Sequence, residues 1–212
     1  MQCKGNQLIE YSRDSSELRR ALQMRPVVDM VDFLLDLHSM HERSAPLSIC
    51  GPLEKGIALA RKLGTPSWII SDEGHPEGRR MRDYADFENA DSPKNALLIE
   101  CGQRRSRYRE GCHCALSCIA RPHRGNHLPS EWHQQPPARS RVVRITEAVV
   151  ASSMDSRFAA NYTGLETFSD AGSVIGWRDG EPVKTPYPNC VLVMPSLRQL
   201  RPGLRWCVSG NC

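Results

Sequence analysis

The sequence predicts an α/β protein: a largely parallel sheet with helices, followed by a small β-rich unit. Three observations carry this. The apolar runs Phe33–Leu37, Ser67–Ile70 and Ala96–Ile99 are short enough for buried strands, and each ends in ionisable residues. A segment with helical periodicity separates the first two runs, giving a strand–helix–strand pattern that favours parallel pairing. From about residue 141 onward, short β-type runs alternate with turn sequences. The expected organisation is therefore residues 1–103 as an α/β unit, 104–140 as an irregular segment of low order, and 141–212 as a small all-β unit.

Residues 1–13 are polar and unpatterned. Asp14 is a better helix N-cap than Ser15, because Glu17 lies three residues on and approximates a capping box. Leu18, Leu22 and Met24 then sit near helical spacing up to Pro26. The strand Phe33–Leu37 delivers His38 at its carboxyl end, with Asp36 two residues earlier on the same strand face. Gly51-Pro52 opens a second helix, in which Leu53, Ile57, Ala60 and Leu63 share a face and Gly64 with Pro66 gives the stop. The strand Ser67–Ile70 leads to Asp72, Glu73 and His75. The loop that follows is basic, with Arg79, Arg80 and Arg82. The strand Ala96–Ile99 ends in Glu100-Cys101-Gly102.

Residues 103–140 change character. They hold His113, His123, His127 and His133, four of the seven histidines, together with Cys112, Cys114, Cys118 and many arginines. Hydrophobic periodicity is nearly absent. Cys112-His113-Cys114 with Cys118 imitates a zinc knuckle but lacks the paired C-x2-C spacing of such sites. Beyond it, RVVRITEAVVAS, GSVIGW and CVLVMPS read as strands, separated by turns at Arg178-Asp179-Gly180 and Pro186-Tyr187-Pro188-Asn189. The tail LRWCVSGNC reads as unpatterned.

Gross composition narrows the function. A net charge of +4 over 212 residues does not point to nucleic acid. No run approaches the roughly 20 apolar residues of a membrane span. MQCKGNQLIEYSRD has no apolar signal core. Nine scattered cysteines, an odd count, fit free thiols in a reducing compartment. A cytoplasmic protein without a nucleic-acid or membrane partner is expected, and assembly into a homo-oligomer is left open.

The chemistry collects at strand ends, where open α/β sheets place ligands. In a parallel sheet, His38, the group Asp72/Glu73/His75, and Glu100 would share one edge. A histidine and a free carboxylate there suit a zinc hydrolase, in which the metal lowers the pKa of its water and the carboxylate accepts the proton. Arginines at 79–82 suit a substrate carboxylate. Against this, a histidine after a strand is more often a hydrogen-bonded loop residue, and an arginine run is usually a solvated face. His41 and Glu42 would join His38 only if the segment were helical.

Several stretches together resemble one family. DFLLDLHS, GPLEKGIALARKLG, SDEGHPEGRRMRDYADF, SPKNALLIECGQ, NYTGLETFSDAGSVIG and TPYPNCVLVMPS are similar to the succinylglutamate desuccinylase/aspartoacylase family, relatives of the zinc carboxypeptidases. The resemblance covers roughly residues 14–103 and 141–196. It implies a zinc-carboxypeptidase-like mixed, largely parallel sheet with a small β-rich domain, and hydrolysis of the amide (or ester) bond of an N-acyl amino acid with one zinc ion. By position it makes His38 the third zinc ligand, Glu100 the catalytic carboxylate that activates water, and Asp36, Arg82 and Tyr187 substrate-binding residues.

The chain also departs from that pattern. The family's first two zinc ligands come from a His-x-x-Glu motif upstream of the Asp-Leu-His strand, and no histidine precedes His38 here. Residues 104–140, and the tail after Pro202, have the composition of an out-of-frame reading of GC-rich DNA. The expectation is an incomplete fold: an N-terminally truncated copy, frameshifted at about 104–140, impaired by loss of two zinc ligands. A non-catalytic remnant that binds small molecules is the alternative, and a zinc-binding regulator using the 112–133 cluster is a third.

Overall fold

The computed structural model describes residues 15–40, 42–74, 80–103, 139–151, 153–196 and 205–211. Asp14, His41, His75, Arg79 and the Cys/His cluster at 112–133 lie outside the described residues.

Helix α1 spans Ser16–Met30. Its N-cap is Ser15 rather than Asp14: the Ser15 hydroxyl accepts the Leu18 N–H at 3.1 Å. A side chain at N-cap reaches the third amide of the helix, and that spacing is met from Ser15. The helix also continues through Pro26 for four residues instead of stopping. Proline there removes one main-chain hydrogen bond, a cost of about 3 kcal/mol. Packing offsets it, since Val28 beyond the proline is buried against Phe87 and Ala96.

Strand β1 covers Phe33–Met40, β2 Leu47–Ile49, β3 Trp68–Ser71 and β4 Asn95–Gln103. Helix α2, Glu54–Leu63, connects β2 to β3, and its end is set by Gly64 at φ 73°, whose N–H donates to the Ala60 carbonyl. Glycine enters that left-handed conformation without the penalty a Cβ imposes. Two single-turn 3-10 helices, Met81–Asp83 and Ala85–Phe87, lead toward β4. The later strands are β5 Arg141–Val150, β6 Ser156–Phe158, β7 Glu166–Phe168, β8 Val174–Arg178, β9 Glu181–Lys184, β10 Cys190–Val193 and β11 Arg205–Asn211.

The main sheet has eight strands in the order β1-β4-β2-β3-β5-β11-β10-β7, and β6-β8-β9 form a second sheet. Its first half is largely parallel: β1 with β4, β2 with β3 and β3 with β5. The exception is β2, which runs antiparallel to β4. Leu47-Ser48-Ile49 was not legible as a strand because three residues are too few to show a period. Its insertion reverses direction across the sheet, so β1 and β4 point one way while β2, β3 and β5 point the other.

The β-rich part is continuous with this sheet. Strand β5 pairs with β3 on one side and β11 on the other. The stretch that read as an unpatterned tail is β11, between β5 and β10. Between β8 and β9, Asp179 (φ 52°) and Gly180 (φ 82°) form a two-residue hairpin loop with both residues left-handed, as the Asp-Gly pair predicts.

The two faces of the first half carry different cores. On one, Ile57 and Ala60 of α2 pack on Ile69, Leu97, Ile99 and Cys101. On the other, Leu47, Ile49, Ile70, Leu98 and Val143 form a cluster with Val191 and Val193. Alternation along β4 thus divides Leu97 and Ile99 from Leu98 and Glu100. Each fully buried aliphatic side chain contributes about 2–3 kcal/mol of transfer free energy.

Candidate active site

The face opposite α2 carries the polar group. His38 on β1 pairs in register with Glu100 on β4, and Asp36 pairs with Leu98. Parallel strands in register set equivalent residues side by side on one face. Asp36, His38 and Glu100 therefore form one cluster. His38 Nε2 lies 3.0 Å from Asp36 Oδ1, and His38 Nδ1 lies 3.9 Å from Glu100 Oε1. Glu100 is buried, whereas the His38 side chain is 46% exposed.

The electrostatics follow from that arrangement. The hydrogen bond to Asp36, and then the charges of Asp36 and Glu100, raise the His38 pKa above its usual value against the opposing pull of burial. The cluster can hold a proton on the imidazole beside a carboxylate at a partly open strand end, which is the equipment of general acid–base chemistry.

The remaining sequence-derived residues lie elsewhere. The expectation that Asp72 and Glu73 share the edge of His38 and Glu100 is not met, because β3 runs opposite to β4. The carboxyl end of β3 faces the amino end of β4, where Cys50, Gly51, Arg82, Asp83, Asn95 and Ala96 line a common pocket. Ala96 and Glu100 are four residues apart on β4, roughly 13 Å at about 3.3 Å per residue.

Arg82 is at that far end and only 4% exposed. Its Nη1 lies 2.6 Å from Asp83 Oδ1 and its Nη2 donates to the Asp72 carbonyl at 2.8 Å. Burial lowers the Arg82 pKa and raises that of Asp83. A guanidinium so enclosed is occupied by the protein's own groups. Gly51, at φ +71°, gives it room: a Cβ there would stand 2.2 Å from Arg82 Nη1.

Tyr187 lies in the connection between β9 and β10, with its hydroxyl 2.5 Å from Thr146 Oγ1. Thr146 belongs to the part of β5 that runs on past Arg144, the partner of Ser71, and so toward the end bearing Asp72. The structure thus brings together Asp36, His38 and Glu100, and places Arg82 and Tyr187 apart from them.

Two basic groups at the far end are engaged by the protein's own acceptors: Arg80 was legible as part of the basic loop, whereas Lys55 gave no sequence signal. Arg80 pairs with Asp72 at 2.6 Å. The Lys55 ammonium donates to four main-chain carbonyls, those of Asp86, Asn89, Ser92 and Lys94, at 3.4, 2.6, 3.1 and 2.7 Å. Main-chain acceptors have no residue identity, so no motif marks such a clamp.

Comparison with known proteins places the fold. No model of a protein family and no curated protein matches the chain. Solved structures do. Succinylglutamate desuccinylase from Vibrio cholerae superimposes with a TM-score of 0.67 at 16% identity, over 94% of this chain and 61% of its own. A succinylglutamate desuccinylase/aspartoacylase from Rhodobacter sphaeroides gives 0.63 at 16% identity, over 94% and 64%. An aspartoacylase family protein from Mesorhizobium loti gives 0.59 at 15% identity, over 94% and 63%. The chain has the desuccinylase/aspartoacylase fold and spans less than two thirds of the length of these structures.

That fold raises the question of zinc. Among the described residues no three His, Cys, Asp or Glu side chains are arranged to hold a metal ion. The one histidine of the cluster turns Nε2 to one carboxylate and Nδ1 toward another. A catalytic zinc takes three protein ligands at about 2.0–2.3 Å, and the described residues do not fit it. No described helix is long and apolar enough to cross a membrane.

Proposed function

We propose that this chain descends from hydrolases that cleave the amide or ester bond of N-acyl amino acids, and that it keeps their carboxylate–imidazole pair on an incomplete site. The observation that carries the reading is the in-register pairing of His38 with Glu100 on this fold. In it Glu100 is the base that takes a proton from water, and Asp36 positions the His38 imidazole. By the resemblance His38 is also a zinc ligand. The described residues give it no companions, so turnover by this chain is expected to fall far below that of a site with three ligands. Its small-molecule partner is an acylated amino acid.

A second reading is binding without catalysis. It is favoured by the exposure of the ring: the His38 side chain is 46% exposed and its Nδ1 stands 3.9 Å from Glu100, too far for a hydrogen bond, so that N–H is open to a ligand acceptor.

The test is hydrolysis of a panel of N-acyl amino acids, with and without added zinc, alongside calorimetric binding. Activity abolished by Glu100→Gln supports the first reading, and activity indifferent to it removes the assigned base. Binding lost in His38→Ala without any turnover supports the second.

A further inference from the structure

Lys55 stands where its own helix disfavours it. It is the second residue of α2, in the turn whose leading amides carry partial positive charge. Cations belong at the other end, where Arg61 and Lys62 sit in the last turn. What holds Lys55 lies across the chain. Its ammonium meets the carbonyl oxygens of Asp86, Asn89, Ser92 and Lys94 at 3.4, 2.6, 3.1 and 2.7 Å. An ammonium has three protons to donate, so four acceptors exceed its directional needs. Converging carbonyls suit a spherical charge, whose water they replace with their own dipoles.

Those carbonyls are arranged without the lysine. The Asn89 N–H donates to the Asp86 carbonyl at 3.3 Å, and the Ser92 N–H to the Asn89 carbonyl at 3.2 Å. Asn89 Oδ1 accepts the Asp91 N–H at 3.0 Å, and Ser92 Oγ accepts the Lys94 N–H at 3.2 Å. The Asn95 N–H donates to the Asp32 carbonyl at 2.9 Å and ties the end of the turn to the start of β1. Burial works against a charge at Lys55, and the Asp86 carboxylate works for it. Lys55, Glu88 and Asn95 also line a pocket, which gives a small ion a way in.

We propose that the turn 86–94 is a monovalent-cation site whose occupant is the tethered ammonium of Lys55, and that potassium or ammonium ions take that place when the side chain is removed. The distances select the class of ion. Calcium takes oxygens at about 2.3–2.6 Å and magnesium at about 2.0–2.1 Å, in larger shells rich in carboxylate or water. Four neutral carbonyls at 2.6–3.4 Å are too wide and too weakly charged for either. They match an ion of ammonium's size and single charge. The inference stands independently of the hydrolytic reading, because the turn leads into β4 at Asn95, the end of the strand opposite Glu100.

The experiment measures urea unfolding of Lys55→Ala and of the parent in potassium, ammonium, lithium and tetramethylammonium chlorides at one ionic strength. A bound ion multiplies the folding equilibrium constant by one plus its concentration over Kd, about sixfold at roughly 0.5 M for a Kd on the order of 0.1 M. Lys55→Ala is expected to gain about that factor in potassium and ammonium over lithium and tetramethylammonium, while the parent shows no such preference. Lys55→Met, whose side chain fills the space, is expected to follow the parent in its response to salt. Equal responses of Lys55→Ala to the four salts overturn the proposal. So does a potassium preference of the same size in the parent or in Lys55→Met. Should Lys55→Ala not fold in lithium chloride, its refolding yield becomes the readout, and equal yields in potassium and lithium overturn the proposal in the same way.

Discussion

Arg82 and Asp83 are neighbours in sequence that form a buried ion pair, Nη1 to Oδ1 at 2.6 Å, with their pKa values displaced toward neutrality in both partners. Displacement in that direction means that lost hydration outweighs mutual attraction for each group. Such a pair adds little net stability but is costly to break from one side. Arg82→Met is expected to destabilise the fold by about 3–5 kcal/mol, and Arg82→Met/Asp83→Leu by much less. Urea denaturation of both variants checks this. An Arg82→Met loss under 1 kcal/mol would contradict it.

The same pair fixes a pH trend. The folded-state pKa of Asp83 is raised above its ordinary 3.8. Its contribution to stability is therefore full below that value and lost as pH rises through the folded value. Without Arg82 the buried carboxyl loses the larger of its two compensating charges and keeps only Arg80, so the Arg82→Met deficit should be larger at pH 7 than at pH 4. Denaturation midpoints at the two pH values, each relative to the parent, measure the difference.

His38 titrates with the opposite chemistry and the same sign. Its folded pKa lies above 6.5 because Asp36 holds the imidazolium. The stabilisation is complete below pH 6.5 and fades as pH rises through the folded value. Asp36→Asn should lower the His38 pKa, read from imidazole proton shifts by NMR. Half the ring is exposed, so the accompanying change in stability is small and weakens with salt.

The Lys55 ammonium ties together the turn between residues 86 and 94, which also carries main-chain bonds of its own such as Ser92 N–H to the Asn89 carbonyl. Lys55→Met should cost about 1–3 kcal/mol, the range for leaving acceptors without their donor. Amide exchange is expected to accelerate locally at 86–94 while Ile99 and Val143 in the sheet stay protected. Uniform acceleration across the sheet would show that the clamp is global.

The legible parts of the fold were those with a period or a required backbone conformation. Ile57 and Ala60 fall on one helical face, Gly64 must be left-handed, and Asp179-Gly180 admits one kind of hairpin. His38 and Glu100 were legible as strand-end groups, and their adjacency followed from two parallel strands. The direction of β2 was hidden, because Leu47-Ser48-Ile49 carries no signal of orientation, and with it went the placement of Asp72 and Arg82. Strand β11 was hidden for a related reason: its pairing with β5 is decided by main-chain atoms and by partners more than fifty residues away. Pro26 misled because propensity is local, and the burial of Val28 is not.

Pairing between β1 and β4 also orders events during synthesis. Phe33 leaves the ribosome about sixty residues before its register partner Asn95. At roughly 5–20 residues per second, the FLLDL strand waits on the order of 3–12 s before its neighbour exists. Helix α1 is complete by then but lacks Phe87 and Ala96, on which it packs. The nascent chain thus carries the apolar run of β1 unsheltered by β4 through the making of β2, α2 and β3, and a chaperone that meets it there would find Phe33–Leu37 first.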